Sequence, residues 1–171
     1  SATPLRDALR RMSSEGLVEL RAHGSARVAA VDLHEATEIF ELRRILEPMA
    51  LERAVAKGGA EYSEGVEQAW QRLAATRIAT ASDHARFHRA LLVGCDSAWL
   101  LRLATMLSDK AGLMIAVSLP GRPADYSTAA AHRRLRDRAI DGDGDGAAVE
   151  LARHLDGTIT ALQSVLTSTP D

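Results

Sequence analysis

One cysteine, Cys95, is all that the 171 residues contain, so the chain cannot close an internal disulfide. That fits a reducing cytoplasm, the location expected here. Aromatic residues are also scarce, at 4% with two each of Trp, Tyr and Phe, so a core has to be assembled from aliphatic side chains. No apolar run approaches the roughly 20 residues needed to span a bilayer, and no charged start followed by an apolar stretch marks a secretory signal. No membrane partner is therefore expected. The chain also lacks His-Glu-x-x-His, Gly-x-Ser-x-Gly, a glycine-rich phosphate loop and a thiolate pair, the compact signatures of several enzyme classes. What is present is a chain 46% hydrophobic and rich in alanine, leucine and arginine, residues that favour helices.

The net charge is only −2, but it is unevenly placed. Residues 1–27 set Arg6, Arg10, Arg11, Arg21 and Arg27 against Asp7, Glu15 and Glu19, a net of +2, which leaves −4 on the remainder. A small basic segment ahead of an acidic body suits separate nucleic-acid-contacting and sensing parts. Residues 3–15 read as a helix, with Thr3 as N-cap and Pro4 at the first position, where a missing N–H costs nothing. Leu5, Ala8, Leu9 and Met12 form its apolar stripe and Gly16 ends it. Two β-like runs, Leu17–Arg21 and Ala26–Ala30, flank His23-Gly24-Ser25 and predict a hairpin.

From Asp32 onward the pattern is helical only. Asp32 and Glu35 form a capping box for a helix whose expected buried face is Ala36, Ile39, Phe40, Leu42, Ile45, Leu46, Met49 and Ala50, ending near Lys57-Gly58-Gly59. Further helices are expected at about 60–76, 80–93, 98–119, 124–140 and 147–166, with a loop at Pro120-Gly121-Arg122-Pro123 and a polar turn at Asp141–Gly146. The fold class is thus all-α: an antiparallel bundle of about six helices over residues 31–171, preceded by a helix and hairpin over residues 1–30.

Four histidines stand out. His84 and His88 are four apart on one helix face and can chelate one ion, while His132 and His154 lie within two later helices that a bundle can bring alongside. An i,i+4 pair alone is a weak signal, because helices carry such pairs by chance, and a lone histidine is more often a surface or hydrogen-bonded core residue. His23 and His34 are read that way. Imidazoles without sulfur suit zinc first, then nickel or another transition metal. Asp141, Asp143 and Asp145, with Gly146, imitate the start of a calcium loop, but the twelfth position is Ala152 instead of glutamate, so a helix–helix turn is preferred.

The run Ser1-Ala2-Thr3-Pro4-Leu5-Arg6-Asp7-Ala8-Leu9-Arg10-Arg11-Met12, continuing Glu15-Gly16-Leu17-Val18-Glu19-Leu20, resembles the recognition helix and wing of the GntR superfamily of transcription regulators. Glu38-Ile39-Phe40-Glu41-Leu42-Arg43, with Leu46-Glu47-Pro48, resembles the opening helix of its FadR-type effector domain, the FCD domain. The resemblance begins inside the winged helix-turn-helix: the two helices that precede the recognition helix in the family have no counterpart here. Leu5, Leu9 and Met12 are therefore expected to lack their usual partners, and tight operator binding by this piece is not expected.

The resemblance implies a homodimer that binds operator DNA through Thr3, Arg6, Arg10 and the wing at His23 and Gly24, in response to a small organic acid. It also implies a divalent metal. Family sites take an aspartate, a histidine four residues later in an Asp-x-x-Phe-His context, and two more histidines on separate helices. Phe87-His88, His132 and His154 match, but four residues before His88 stands His84. The preferred set is His84, His88, His132 and His154, with Asp83 as the alternative first ligand. Arg43 either grips the effector carboxylate or pairs with Glu47 four residues on. The rival function is a histidine-metal hydrolase acting on a small carboxylate-containing substrate, with the metal activating water.

Overall fold

The computed structural model describes residues 3–14, 18–21, 25–75, 81–118 and 128–168. They divide into two compact units, residues 1–32 and 33–171. In the first, α1 (Thr3–Ser14) precedes an antiparallel pair, β1 (Val18–Leu20) and β2 (Ala26–Val28). The register sets Val18 opposite Val28 and Glu19 opposite Arg27, a cross-strand pair of opposite charge. Val18 is buried, whereas Leu5 and Met12 of α1 are exposed.

The second unit is six helices: α2 (Leu33–Lys57), α3 (Ala60–Ala75), α4 (Ala81–Leu92), α5 (Ala98–Ser118), α6 (Thr128–Ile140) and α7 (Gly144–Ser168). Helix α2 is the spine and packs against α7, α5 and α4. It accommodates Pro48, which has no N–H to donate to the carbonyl of Arg44. It stops where Gly58 and Gly59 take positive φ (36° and 113°), and a Cβ on Gly58 would lie 2.9 Å from the carbonyl oxygen of Val55. The core is aliphatic: Leu51, Leu91, Leu135, Leu151, Leu155 and Leu162 are fully buried with Phe40 and Phe87. Tyr62 donates to the carbonyl of Leu91 at 3.0 Å and Trp70 meets Phe87 edge-on, joining α3 to α4.

Two expectations need correction. Leu42, Ile45 and Met49 belong to the exposed face of α2, and the buried face instead carries Arg43 and Glu47. A hydrophobic pattern alone does not say which of two apolar stripes faces the core. Second, α7 begins at Gly144, so the last part of the Asp141–Gly146 turn is helical: Asp143 caps it, its Oδ1 accepting from the N–H of Gly146 at 2.9 Å. Helix α2 starts directly after Asp32, and Glu35 in its first turn pairs with Lys110 of α5 at 3.2 Å. The loop expected at 120–123 lies outside the described residues.

Candidate metal centre

Three helices converge on one polar point in this apolar bundle. Helix α4 contributes His84 and His88, one turn apart. Helix α6 contributes His132, and α7 contributes His154. One nitrogen from each of the four lies within 4.8 Å of the others. Nε2 of His88 and Nε2 of His132 are 3.2 Å apart, close enough for one ring to donate to the other. His88 and His132 are buried to 3% exposure, and His84 and His154 partly so.

Burial governs the electrostatics. Loss of solvent lowers the pKa of His84 to about 4 and that of His154 to about 3, with the charge of Arg43 adding to both. His132 is lowered to about 2 by burial and then by its histidine neighbours, and His88 is held well below its ordinary value by the same two causes. All four rings are therefore neutral at pH 7, with lone pairs available. A tetrahedral ion bound at ~2.1 Å needs donor nitrogens ~3.4 Å apart. The His88–His132 pair, at 3.2 Å, is near that spacing, and a pair at the 4.8 Å limit would need to contract by about 1.4 Å. The donors fit a borderline transition ion.

Asp83 is half-buried and is not part of this group of mutually close nitrogens. Arg43 faces the cluster from α2, 4% exposed. Its Nε donates to Glu47 Oε1 at 2.6 Å, its Nη2 donates to Ser108 Oγ of α5 at 3.4 Å, and its guanidinium lies 4.8 Å from the Phe40 ring centre. The Glu47 pairing weighed as the alternative is thus present. It does not use the whole guanidinium, and it leaves the group beside the histidines.

Sequence reasoning missed the space next to the cluster. A cavity of about 200 Å³ is lined by His88, Arg86 and Arg89 of α4 and by Thr105, Ser108 and Asp109 of α5. The Thr105 hydroxyl is buried with no hydrogen-bond partner among the described residues. The signal was there: Thr105, Ser108 and Asp109 interrupt an apolar helix at i, i+3 and i+4. In the first unit, Thr3, Arg6 and Arg10 are exposed on α1, with Arg10 at 4.0 Å from Asp7. His23 and Gly24 lie outside the described residues.

The described residues thus form a six-helix bundle with a buried imidazole cluster and an adjoining cavity, preceded in the chain by a helix and a two-stranded hairpin. The chain belongs to the FCD-domain family of GntR-type transcription regulators: the model of that domain matches residues 38–157. It is 32% identical over 117 residues to the HTH-type transcriptional repressor GlaR of Escherichia coli K12, a match covering 63% of this chain and 53% of GlaR. It is 28% identical over 160 residues to a probable D-xylose utilization operon transcriptional repressor of Paenarthrobacter nicotinovorans, covering 91% of this chain and 70% of that protein. This chain therefore spans about half the length of GlaR and about two thirds of the second relative.

Two solved structures share the fold. They are E. coli McbR/YncC (TM-score 0.79, 20% identity, 96% of this chain and 81% of that one) and a GntR regulator of Rhodococcus sp. RHA1 (TM-score 0.74, 19% identity, 99% and 82%). These relatives are transcription regulators and not enzymes, which removes the hydrolase reading.

Proposed function

We propose that the chain is the sensing part of a metabolite-responsive regulator, which binds a divalent metal through His84, His88, His132 and His154 and a small carboxylate in the adjoining cavity. The observation that carries this is the buried, neutral four-imidazole cluster, open on its His88 side to a cavity that Arg86, Arg89, Thr105 and Ser108 help to line. A divalent ion held there supplies a Lewis-acidic coordination position for a carboxylate oxygen. The other roles fall to the chain's own groups. Arg43 adds a fixed cation beside the rings, Thr105 offers an unsatisfied hydroxyl, and Arg86 and Arg89 flank the cavity on α4.

The charge inventory favours an anion. Arg43 and Glu47 cancel, and four neutral imidazoles supply no negative charge where an aspartate was expected. The ion's charge would be uncompensated in a site of low polarity, so an anionic effector binds more strongly. Effector binding alters operator affinity only to the extent that it differs between two arrangements of the DNA-reading heads of the full-length protein. Arg6 and Arg10 of α1, with Thr3 and the wing at His23 and Gly24, are assigned to operator contacts.

Metal analysis of purified protein tests the centre. His84→Ala is expected to lose most of its bound metal and Asp83→Ala to keep it; undiminished metal in the histidine variant would reject the four-imidazole set. Calorimetric titration of the metal-loaded protein with small organic acids then tests the ligand class, with binding expected to vanish after chelation.

A further inference from the structure

The cavity beside the histidines has an inner and an outer wall. Arg86, Arg89 and Asp109 are exposed and form the outer one, whereas His88 is buried and Thr105 and Ser108 are half-buried. Thr105 and Ser108 lie three apart on α5, so they share a face within about 60°. Both hydroxyls have bonding capacity left over. Thr37, Thr158, Thr160 and Thr167 each donate back to the carbonyl four residues earlier, at 2.8 to 2.9 Å, a common way for a helical threonine to satisfy its hydroxyl. Thr105 does not. Its Oγ1 is buried without a partner among the described residues, which is costly for a polar atom. Ser108 Oγ accepts from Nη2 of Arg43 at 3.4 Å, so its own proton remains to be donated. The same guanidinium acts on His84, His88 and His154, which ties Ser108 to the cluster as well as to the cavity.

We infer that Thr105 and Ser108 read an oxygen on the carbon next to the ligand's carboxylate, so that the effector is a 2-hydroxy or 2-oxo acid. This rests on the metal-and-carboxylate reading above and narrows it. A carboxylate at the histidine cluster sets the substituent of the adjoining carbon against the wall that His88 shares with the two hydroxyls. An oxygen there accepts the Ser108 proton and gives Thr105 the partner it lacks, while a methylene leaves both unpaired. That difference makes the site selective, because the analogue without the oxygen strands buried polar groups. A 2-amino group is disfavoured, since its ammonium would face the charges of Arg43 and of the ion. The volume of about 200 Å³ equals the share of roughly six or seven water molecules in the liquid, room for an acid of about four carbons.

Calorimetric titration of the zinc-loaded whole chain with 2-hydroxybutanoate, 2-oxobutanoate and butanoate tests this, with chelated protein as the blank. At least one of the two oxygenated acids is expected to bind at least about 10-fold more tightly than butanoate, and the tighter of them tells hydroxyl from carbonyl. Thr105→Val, which keeps the shape and removes the hydroxyl, is expected to bring that ratio within about threefold. Thr105→Ser is expected to keep the preference, and Ser108→Ala to reduce it. Urea unfolding gives a second readout: Thr105→Val should be no less stable than the unaltered chain, because it removes a buried hydroxyl that has no partner. Butanoate binding as tightly as both oxygenated acids overturns the inference and leaves the metal-and-carboxylate reading standing. So does a preference that Thr105→Val retains, or a marked loss of stability in that variant. If none of the three acids binds the zinc-loaded protein, or all bind equally after chelation, that reading falls and the inference with it.

Discussion

Arg43 and Glu47 illustrate how much depends on single residues in this bundle. Both are buried, and desolvation raises the pKa of Glu47 against the pull of Arg43. Glu47→Leu would leave a buried guanidinium uncompensated, and a loss of about 3–5 kcal/mol is expected in urea unfolding. Arg43→Met combined with Glu47→Leu should recover most of that loss, while abolishing the contribution of Arg43 to anion binding. The histidines make a separate prediction for metal-free protein. Their pKa values are lower folded than unfolded, so the unfolded chain takes up protons first as pH falls through about 6.5. Stability is complete above that value and drains away toward about pH 4, where His84 also titrates in the folded state. Between pH 7 and 5 at least roughly 2 kcal/mol should disappear, the cost of holding one such ring neutral. A flat unfolding profile in chelator over that range would contradict the buried, neutral cluster.

At the scale of elements, the two ends of the bundle's long helices are held by different devices. Asp143 caps α7 through the N–H of Gly146 and pairs with Arg138 of α6, so Asp143→Ala should cost about 1 kcal/mol in thermal unfolding. That use of the carboxylate also explains why a glycine-and-aspartate run can imitate a calcium loop while serving as a helix start. Gly58 stops α2 in a conformation with no room for a side chain, and Gly58→Ala is expected to cost at least about 1 kcal/mol. Most of these elements were legible in the residues. Each helix of the bundle was anticipated within a few positions, because Gly58-Gly59, Cys95-Asp96-Ser97 and Asp141–Gly146 punctuate apolar periodicity. The buried side of α2 was legible only in part: Ala36, Ile39, Phe40 and Ala50 are buried as expected, but Arg43 and Glu47 join them in place of Leu42, Ile45 and Met49. Its apolar residues encircle much of the helix, and the choice between stripes is made by neighbours that lie far away in the chain.

For the molecule as a whole, a divalent ion that binds only the folded bundle should raise its stability by mass action. About 4 kcal/mol is expected when the ion is present at ~1,000 times its dissociation constant. The shift should appear in thermal scans with zinc, reverse with chelator, and be absent in His88→Ala and His132→Ala; an equal shift in those variants would place the metal elsewhere. The residues alone determined the helical class, the family resemblance and the four histidines, because periodicity, capping and an i,i+4 spacing are local properties of the chain. Only the tertiary structure decided that α4, α6 and α7 bring those histidines within 4.8 Å of one another, that Arg43 lies beside them, and that a cavity opens at His88. It also decided that Leu42, Ile45 and Met49 face outward. Convergence and burial depend on which helices pack together, and that is settled by long-range contacts no local pattern encodes.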